Sequence, residues 1–295
     1  MKDLKFVIYV TAHDPLANFD NLLETLRGYQ ELPGAQDVFI YIDWEHRSDK
    51  STVLDLLESN LEFNKLEIVV AGEEWVGFTL TWAHKKSLLE DIKKERYDLY
   101  IYTENDMLFR SEHFLYWYEW KDKLKKLNLE PGFCRFERYE DKFVPFDNHR
   151  VWQVNGPTRR VWGDRPYNVS TVLTPLDNFI CFASLGNPYM GMMILDQDMA
   201  DTYAASDSSD PVKSFKKVDF RCWPIADRSS LGTAFEGLLP GQEHRRVVPL
   251  IESEGKLLIP PYALLEHRDT KYSKDLFSQL NSVLDISQMF GTSSS

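Results

Sequence analysis

Short apolar runs and amphipathic stretches take turns along the first part of the chain. Lys5–Val10 (KFVIYV), Val38–Ile42 (VFIYI), Leu66–Ala71 and Leu99–Tyr102 are rich in β-branched and aromatic residues and are bounded by polar or turn-forming positions. Such runs predict buried strands. Between them the apolar period lengthens to that of a helix. Asn18–Tyr29 sets Phe19, Leu22, Leu23 and Leu26 on one side and ends near the breaker Pro33-Gly34. Lys50–Leu61, capped by Ser48 or Asp49, brings Val53, Leu54, Leu57 and Leu61 into phase. Phe78–Arg96 offers Trp82, Leu88, Leu89 and Ile92 as a third helix, and Ser111 reads as the cap of a fourth with Phe114, Trp117, Tyr118 and Leu124 inward. Strand–helix alternation of this kind implies a mostly parallel sheet covered by helices.

The second half is less regular. Phe133–Trp152 reads as an antiparallel segment or lid, and Gly163–Pro175 as loop. Phe179–Ala183, Met190–Leu195, Val247–Leu250 and Leu257–Ile259 are short candidate strands. Helices are expected around Asp198–Ala205, near Ser229–Leu238 and over Lys274–Met289, with a flexible polar loop at Ser206–Pro211 and a disordered end at Ser293–Ser295. Tyr262–Leu265 leads into Glu266-His267-Arg268. No repeat or linker divides the chain, so the expectation is one mixed α/β domain.

Candidate chemistry gathers where the early strands stop. The first predicted strand runs into Thr11, His13 and Asp14, the second into Asp43, and the strand at Leu99 into Glu104-Asn105-Asp106. Parallel strands share a direction, so these ends fall on one edge of the sheet. Ligands of open α/β sheets bind beyond the carboxyl ends of the strands. A hard divalent cation shared with substrate phosphates needs oxygen ligands such as these. Asn and Asp are also common turn formers, and a plain turn is the competing reading of Glu104-Asn105-Asp106.

Composition narrows the field. The 295 residues are 43% hydrophobic and 14% aromatic, enough for a substantial core. Thirty-four basic against 46 acidic residues give a net charge of -12, which argues against a general nucleic-acid binder. Cys134, Cys181 and Cys222 are odd in number and lack zinc-ligand spacing, so free thiols are expected. MKDLKFVIYV is too short and charged for a signal peptide, and no run is long enough to cross a bilayer. These features predict a soluble, cytoplasmic chain, with peripheral membrane association left open. Asn168-Val169-Ser170 is a glycosylation sequon that matters only in a secretory compartment.

The segment TLTWAHKKSLLEDIKKERYDLYIYTENDMLFRSEHFLYW resembles the nucleotide-sugar-binding core of GT-A glycosyltransferases, in layout nearest to the N-acetylglucosaminyltransferase I type. There a helix precedes a strand that ends in a DxD-type acidic motif. The C-terminal RRVVPL…LLIPPYALLEHRDTKY is similar to the end of such domains, where a late histidine completes the metal site ahead of a Lys/Asn-Tyr pair. The middle of the triplet departs from the pattern, being Asn105 rather than an acid.

The resemblance implies a GT-A-like, Rossmann-type mixed sheet flanked by helices, with a nucleotide-sugar-binding half over 1–130 and an acceptor half over 131–295. It implies Mn²⁺ or Mg²⁺ held by Asp106 and His267. Thr11, His13, Asp43, Lys85, Glu104, Asn105, Lys271 and Tyr272 would line the donor. If the transfer inverts the sugar's configuration, Asp227 leads as general base, with Glu236 and Asp219 as alternatives; Asp227 equally fits the N-cap of a following helix. The implied reaction moves a hexose or N-acetylhexosamine from a nucleotide diphosphate sugar, UDP first, to a hydroxyl acceptor on a glycan or other molecule. Two rivals stand beside it. A nucleotidyltransferase would want a Gly-rich loop after the first strand, where this chain has Thr11-Ala12-His13-Asp14-Pro15. A non-catalytic carbohydrate- or partner-binding protein on the same fold would tolerate Asn105.

Overall fold

The computed structural model describes residues 3–139, 142–145, 147, 150–153, 160–163, 180–185, 187–215, 223–253 and 256–269. The described chain forms two compact units, Met1–Ser111 with Gly191–Glu236, and Glu112–Met190 with Gly237–Ser295.

The first unit is built on the expected alternation: β1 (Lys5–Ala12), α1 (Phe19–Gln30), β2 (Ala35–Ile42), α2 (Lys50–Glu58), β3 (Lys65–Val70), α3 (Lys85–Lys93) and β4 (Leu99–Glu104). A strand from the second half, Met192–Asp196, adds to the sheet antiparallel to β4. The order is Met192–Asp196, β4, β1, β2, β3, and the four early strands run parallel. β1 is buried from Phe6 to Ala12, as a central strand covered on both faces must be. Val7, Tyr9, Tyr100 and Tyr102 pack on one face with Leu88 and Ile92 of α3 and with Ala200 and Tyr203 of the helix Gln197–Ala205. Residues alternate across a strand, so Phe6, Ile8 and Val10 serve the opposite face. The mixed α/β, Rossmann-like sheet flanked by helices is thus present.

Two expected helices take other forms. In place of one helix over Phe78–Arg96, Gly77–Trp82 is a 3-10 turn and α3 begins only at Lys85. The Thr79 and Thr81 hydroxyls donate to carbonyls three residues back, at Val76 and Phe78. That bonding competes with helix propagation. Ser229–Leu238 is a run of turns following a four-residue helix, Ile225–Arg228. Ser229 and Ser230 likewise bond back to Ala226 and Asp227, and Gly232 and Gly237 have φ of 53° and 61°. The Ser206–Pro211 segment, expected as flexible loop, is a bonded turn. The Ser206 side chain caps Asp207–Ser209, the Asp210 side chain caps Pro211–Ser214, and Ser208 is buried.

The second unit opens with α4 (Ser111–Lys125), whose buried face is His113, Phe114, Tyr116, Trp117, Trp120 and Leu124. Tyr118, expected inward, is 38% exposed. The unit's strands include Cys134–Tyr139, Ile180–Ala183, Arg246–Ser253 and Leu264–His267. Cys134–Tyr139 pairs antiparallel with Lys142–Pro145 and parallel with Leu264–His267. Arg246–Ser253 pairs antiparallel with Ile180–Ala183 and Lys256–Leu258. A buried ion pair joins Arg135 to Asp147 at 2.7 Å, and Asn187 also bonds Asp147. Cys134 and Cys181 are free thiols. Cys222, the Asn168 sequon, Asp219, Lys271, Tyr272, the expected Lys274–Met289 helix and the Ser293–Ser295 end lie outside the described residues.

Candidate functional site

The carboxyl edge of the first unit's sheet carries the polar strand ends. β1 and β4 pair with Thr11 opposite Glu104, and β1 and β2 with Ala12 opposite Ile42. The register therefore sets Thr11, His13, Asp43 and Glu104 at neighbouring strand ends. The turn after β4 is fixed by backbone bonds from three directions. Glu104 N–H donates to the Gly191 carbonyl at 3.0 Å, and Asn105 N–H to the Thr11 carbonyl at 3.1 Å. The Asn105 carbonyl accepts from the Thr25 hydroxyl of α1 at 3.0 Å. Asn105 and Asp106 form the two-residue turn itself, and all three side chains of the triplet are half-buried. The turn reading of Glu104-Asn105-Asp106 is thus correct as geometry, and the turn sits on the edge where ligands of such sheets bind.

Next to it lies a histidine–aspartate pair. His13 Nδ1 is hydrogen bonded to Asp43 Oδ2. The imidazole is largely exposed and the carboxylate is buried, with 62% and 2% side-chain exposure. The other Asp43 oxygen, Oδ1, is buried without a hydrogen-bond partner among the described residues. An unmatched buried acceptor costs free energy, and a donor on a ligand would relieve it. Asp14 turns the chain in the left-handed region at φ 46°, which Asp tolerates better than most residues. His46 stands edge-on to His13 at 5.7 Å, with Nδ1 3.3 Å from Asp49.

Beneath the edge, His84 and Lys85 are buried among aromatic rings. His84 stacks on Tyr102 at 4.1 Å and on Tyr9 at 5.6 Å. Burial, with the Lys85 charge beside it, holds the imidazole well below its usual pKa. The Lys85 amine donates to the Ser229 carbonyl at 2.6 Å. Trp82, Tyr102 and Tyr203 surround it at 5.0–5.3 Å from ring centre to nitrogen. Desolvation pulls its pKa far down. Lys85, 5% exposed, is thus not part of a solvated helix face. The Tyr102 hydroxyl lies 3.2 Å from Thr11 Oγ1.

Asp227 is the third residue of Ile225–Arg228, so it is not the N-cap of a following helix, and it is half-buried. Glu236 accepts from the Ser208 hydroxyl. Arg228 donates to Ser214 Oγ at 2.8 Å and to the Pro211 carbonyl at 3.1 Å.

In the second unit His267 ends its strand fully buried, with Nδ1 2.8 Å from Oε1 of the buried Glu137. Asp269 follows in an exposed turn, and a carboxylate oxygen of it lies within 4.8 Å of a ring nitrogen of His267. A carboxylate bonded to one ring nitrogen fixes the tautomer and presents the other nitrogen as a ligand. With carboxylate oxygen alongside, the donor types suit Mn²⁺ or Mg²⁺. Sequence reasoning missed Glu137 and Asp269. His267-x-Asp269 was readable as a pair of ligand types, whereas Glu137 is 130 residues away and had no local signal.

No protein-family model and no curated protein matches the chain. Among solved structures, 4-diphosphocytidyl-2C-methyl-D-erythritol synthase from Anaerococcus prevotii is 15% identical over 70% of this chain and 77% of its own, with a TM-score of 0.34. TarS residues 1–349 of S. aureus are 11% identical over 50% of this chain and 41% of theirs, at 0.31. Mouse xyloside xylosyltransferase 1 is 11% identical over 46% and 53%, at 0.26. The chain spans about half or less of the last two. Likenesses of this depth say nothing of chemistry, which lives in particular residues.

Proposed function

We propose that the chain is a metal-dependent glycosyltransferase using a nucleotide diphosphate sugar, UDP-linked first, and a hydroxyl acceptor. The observation that carries the reading is the convergence of Thr11, His13, Asp43, Glu104 and Asn105-Asp106 at one edge of a parallel sheet. In this reading the first unit contributes most of the donor-binding half, 1–130, and later residues the acceptor half. Asp43, with an unmatched buried oxygen, accepts a donor from the base or ribose, and His13 and Thr11 line the same pocket. Glu104 and Asn105 meet the ribose or metal-bound water. Lys271 and Tyr272 belong to the donor side in the same proposal, whereas the Lys85 amine, expected there too, is taken up by the Ser229 carbonyl.

Asp106 and His267 are the proposed metal ligands. The fit rests on donor chemistry: carboxylate oxygens, and an imidazole oriented by buried Glu137. A bound divalent cation would neutralise charge developing on the departing nucleotide diphosphate. Asp227, with Glu236 as the alternate, would take the acceptor hydroxyl proton as the sugar shifts.

The test is calorimetric titration of UDP, then GDP, with and without Mn²⁺, on wild type and Asp106→Ala. Binding that needs Mn²⁺ and is lost in the variant is expected. A folded wild type that binds neither nucleotide would sink the reading and turn attention to a non-catalytic carbohydrate- or partner-binding role.

A further inference from the structure

Lys85 is an expensive residue to bury. It opens α3, where the helix dipole disfavours a cation, and it is only 5% exposed. What offsets these costs is local and specific: the Ser229 carbonyl at 2.6 Å and the faces of Trp82, Tyr102 and Tyr203. Trp82, three residues earlier, makes a matching bond. Its indole Nε1 donates to the Ile225 carbonyl at 2.6 Å. The two side chains therefore grip both ends of the short stretch Ile225–Ser229. From the other side, Arg228 of that stretch is tied to Pro211 and Ser214. Between the grips sits Asp227.

We infer that Lys85 and Trp82 pin the Ile225–Ser229 turn to the helix beneath the sheet edge, so that Lys85 is a positioning residue for Asp227 rather than a direct contact of the donor. The inference rests on the proposed transferase reading for what Asp227 does, while the pin itself rests on the two hydrogen bonds. A lysine reserved for phosphate would keep its amine toward solvent or ligand. This one is spent on a backbone carbonyl inside an aromatic box. Tyr102 shares the box and also touches Thr11 at the strand edge, so the pinned turn and the edge are joined through one ring.

The experiment compares wild type, Lys85→Met and Trp82→Phe. Lys85→Met keeps the length of the side chain and removes the donor. Trp82→Phe keeps a ring and removes the indole N–H. Hydrogen exchange is followed at the amides of Arg228, Ser229 and Ser230, which are bonded to Pro224, Ala226 and Asp227. UDP binding with Mn²⁺ and the hydrolysis of UDP-N-acetylglucosamine are measured alongside. The expected result for either variant is about tenfold faster exchange at those amides with the β1 amides unchanged. UDP affinity stays within about twofold, and kcat falls about tenfold at constant KM. Unchanged exchange in both variants overturns the pin. UDP affinity weakened tenfold by Lys85→Met, with exchange unaltered, also overturns it and makes Lys85 a donor contact. A wild type that binds no UDP sinks the transferase reading alone, and the exchange arm then still decides the pin.

Discussion

Asp43 holds two oxygens in different circumstances. Oδ2 is bonded to His13, and Oδ1 is buried without a partner among the described residues. Asp43→Asn keeps the shape and lets an amide stand where the carboxylate was. It should cost about 1 kcal/mol or less of stability in urea unfolding, because one acceptor was already unmatched. The same change should weaken UDP binding by about tenfold in calorimetry, the size of one lost charge-assisted bond. Glu137 gives a sharper residue-level expectation. Loss of the carboxylate that orients His267 typically weakens metal affinity 10–100-fold, so Glu137→Gln should shift the Mn²⁺ titration midpoint by that order with little change in far-UV circular dichroism. Lys85 carries a pH dependence whose sign is fixed by its depressed pKa. Between the folded and unfolded pKa values the unfolded chain binds the extra proton. Stability therefore rises with pH through that window, up to about 10, where a free lysine titrates. Unfolding in denaturant at stepped pH values up to about 10 should show wild type gaining stability relative to Lys85→Met, which lacks that titration.

Helix α1 shows how an element is held to the sheet edge. Gly28 faces the backbone where the chain leaves the turn after β4. A Cβ built there would stand 2.3 Å from the Phe109 carbonyl oxygen. Ala favours a helix over Gly by about 1 kcal/mol, yet here the contact is with backbone that cannot swing aside. Gly28→Ala should therefore destabilise, by about 2 kcal/mol or more, and lower Tm in a thermal scan. Thr25 of the same helix fixes the Asn105 carbonyl, so displacing α1 should also loosen the 104–106 turn. At this scale the sequence was readable for β1 to β4 and for α1 and α2, because apolar period is a local property. It was misleading at Phe78–Arg96 and Ser229–Leu238. In both, hydroxyl side chains bond back to carbonyls three residues earlier and compete with the helical ladder.

For the whole chain, nucleotide and metal should act on stability by mass action. A ligand bound only to folded protein adds about 2.7 kcal/mol at a hundredfold its Kd. UDP with Mn²⁺ should raise Tm by several degrees in differential scanning calorimetry, and EDTA should abolish the shift. Among the described residues no helix is long and apolar enough to cross a membrane, in keeping with the charge and hydropathy of the sequence.

The sequence by itself determined the strand–helix alternation, the parallel direction of the early strands and hence the edge at which Thr11, His13, Asp43 and Glu104 collect. Each of these follows from the spacing of apolar residues over a few turns or strand positions, and such spacing acts through neighbours in the chain. Only the tertiary structure decided that Met192–Asp196 completes the sheet antiparallel to β4. It alone placed the Lys85 amine on the Ser229 carbonyl, 144 residues away, and paired His267 with Glu137, 130 residues away. A buried polar side chain must find its partner wherever packing brings one within reach, because leaving it unmatched in a water-free interior costs as much as the bond is worth. That requirement is met in space, between segments whose separation along the chain carries no local signal.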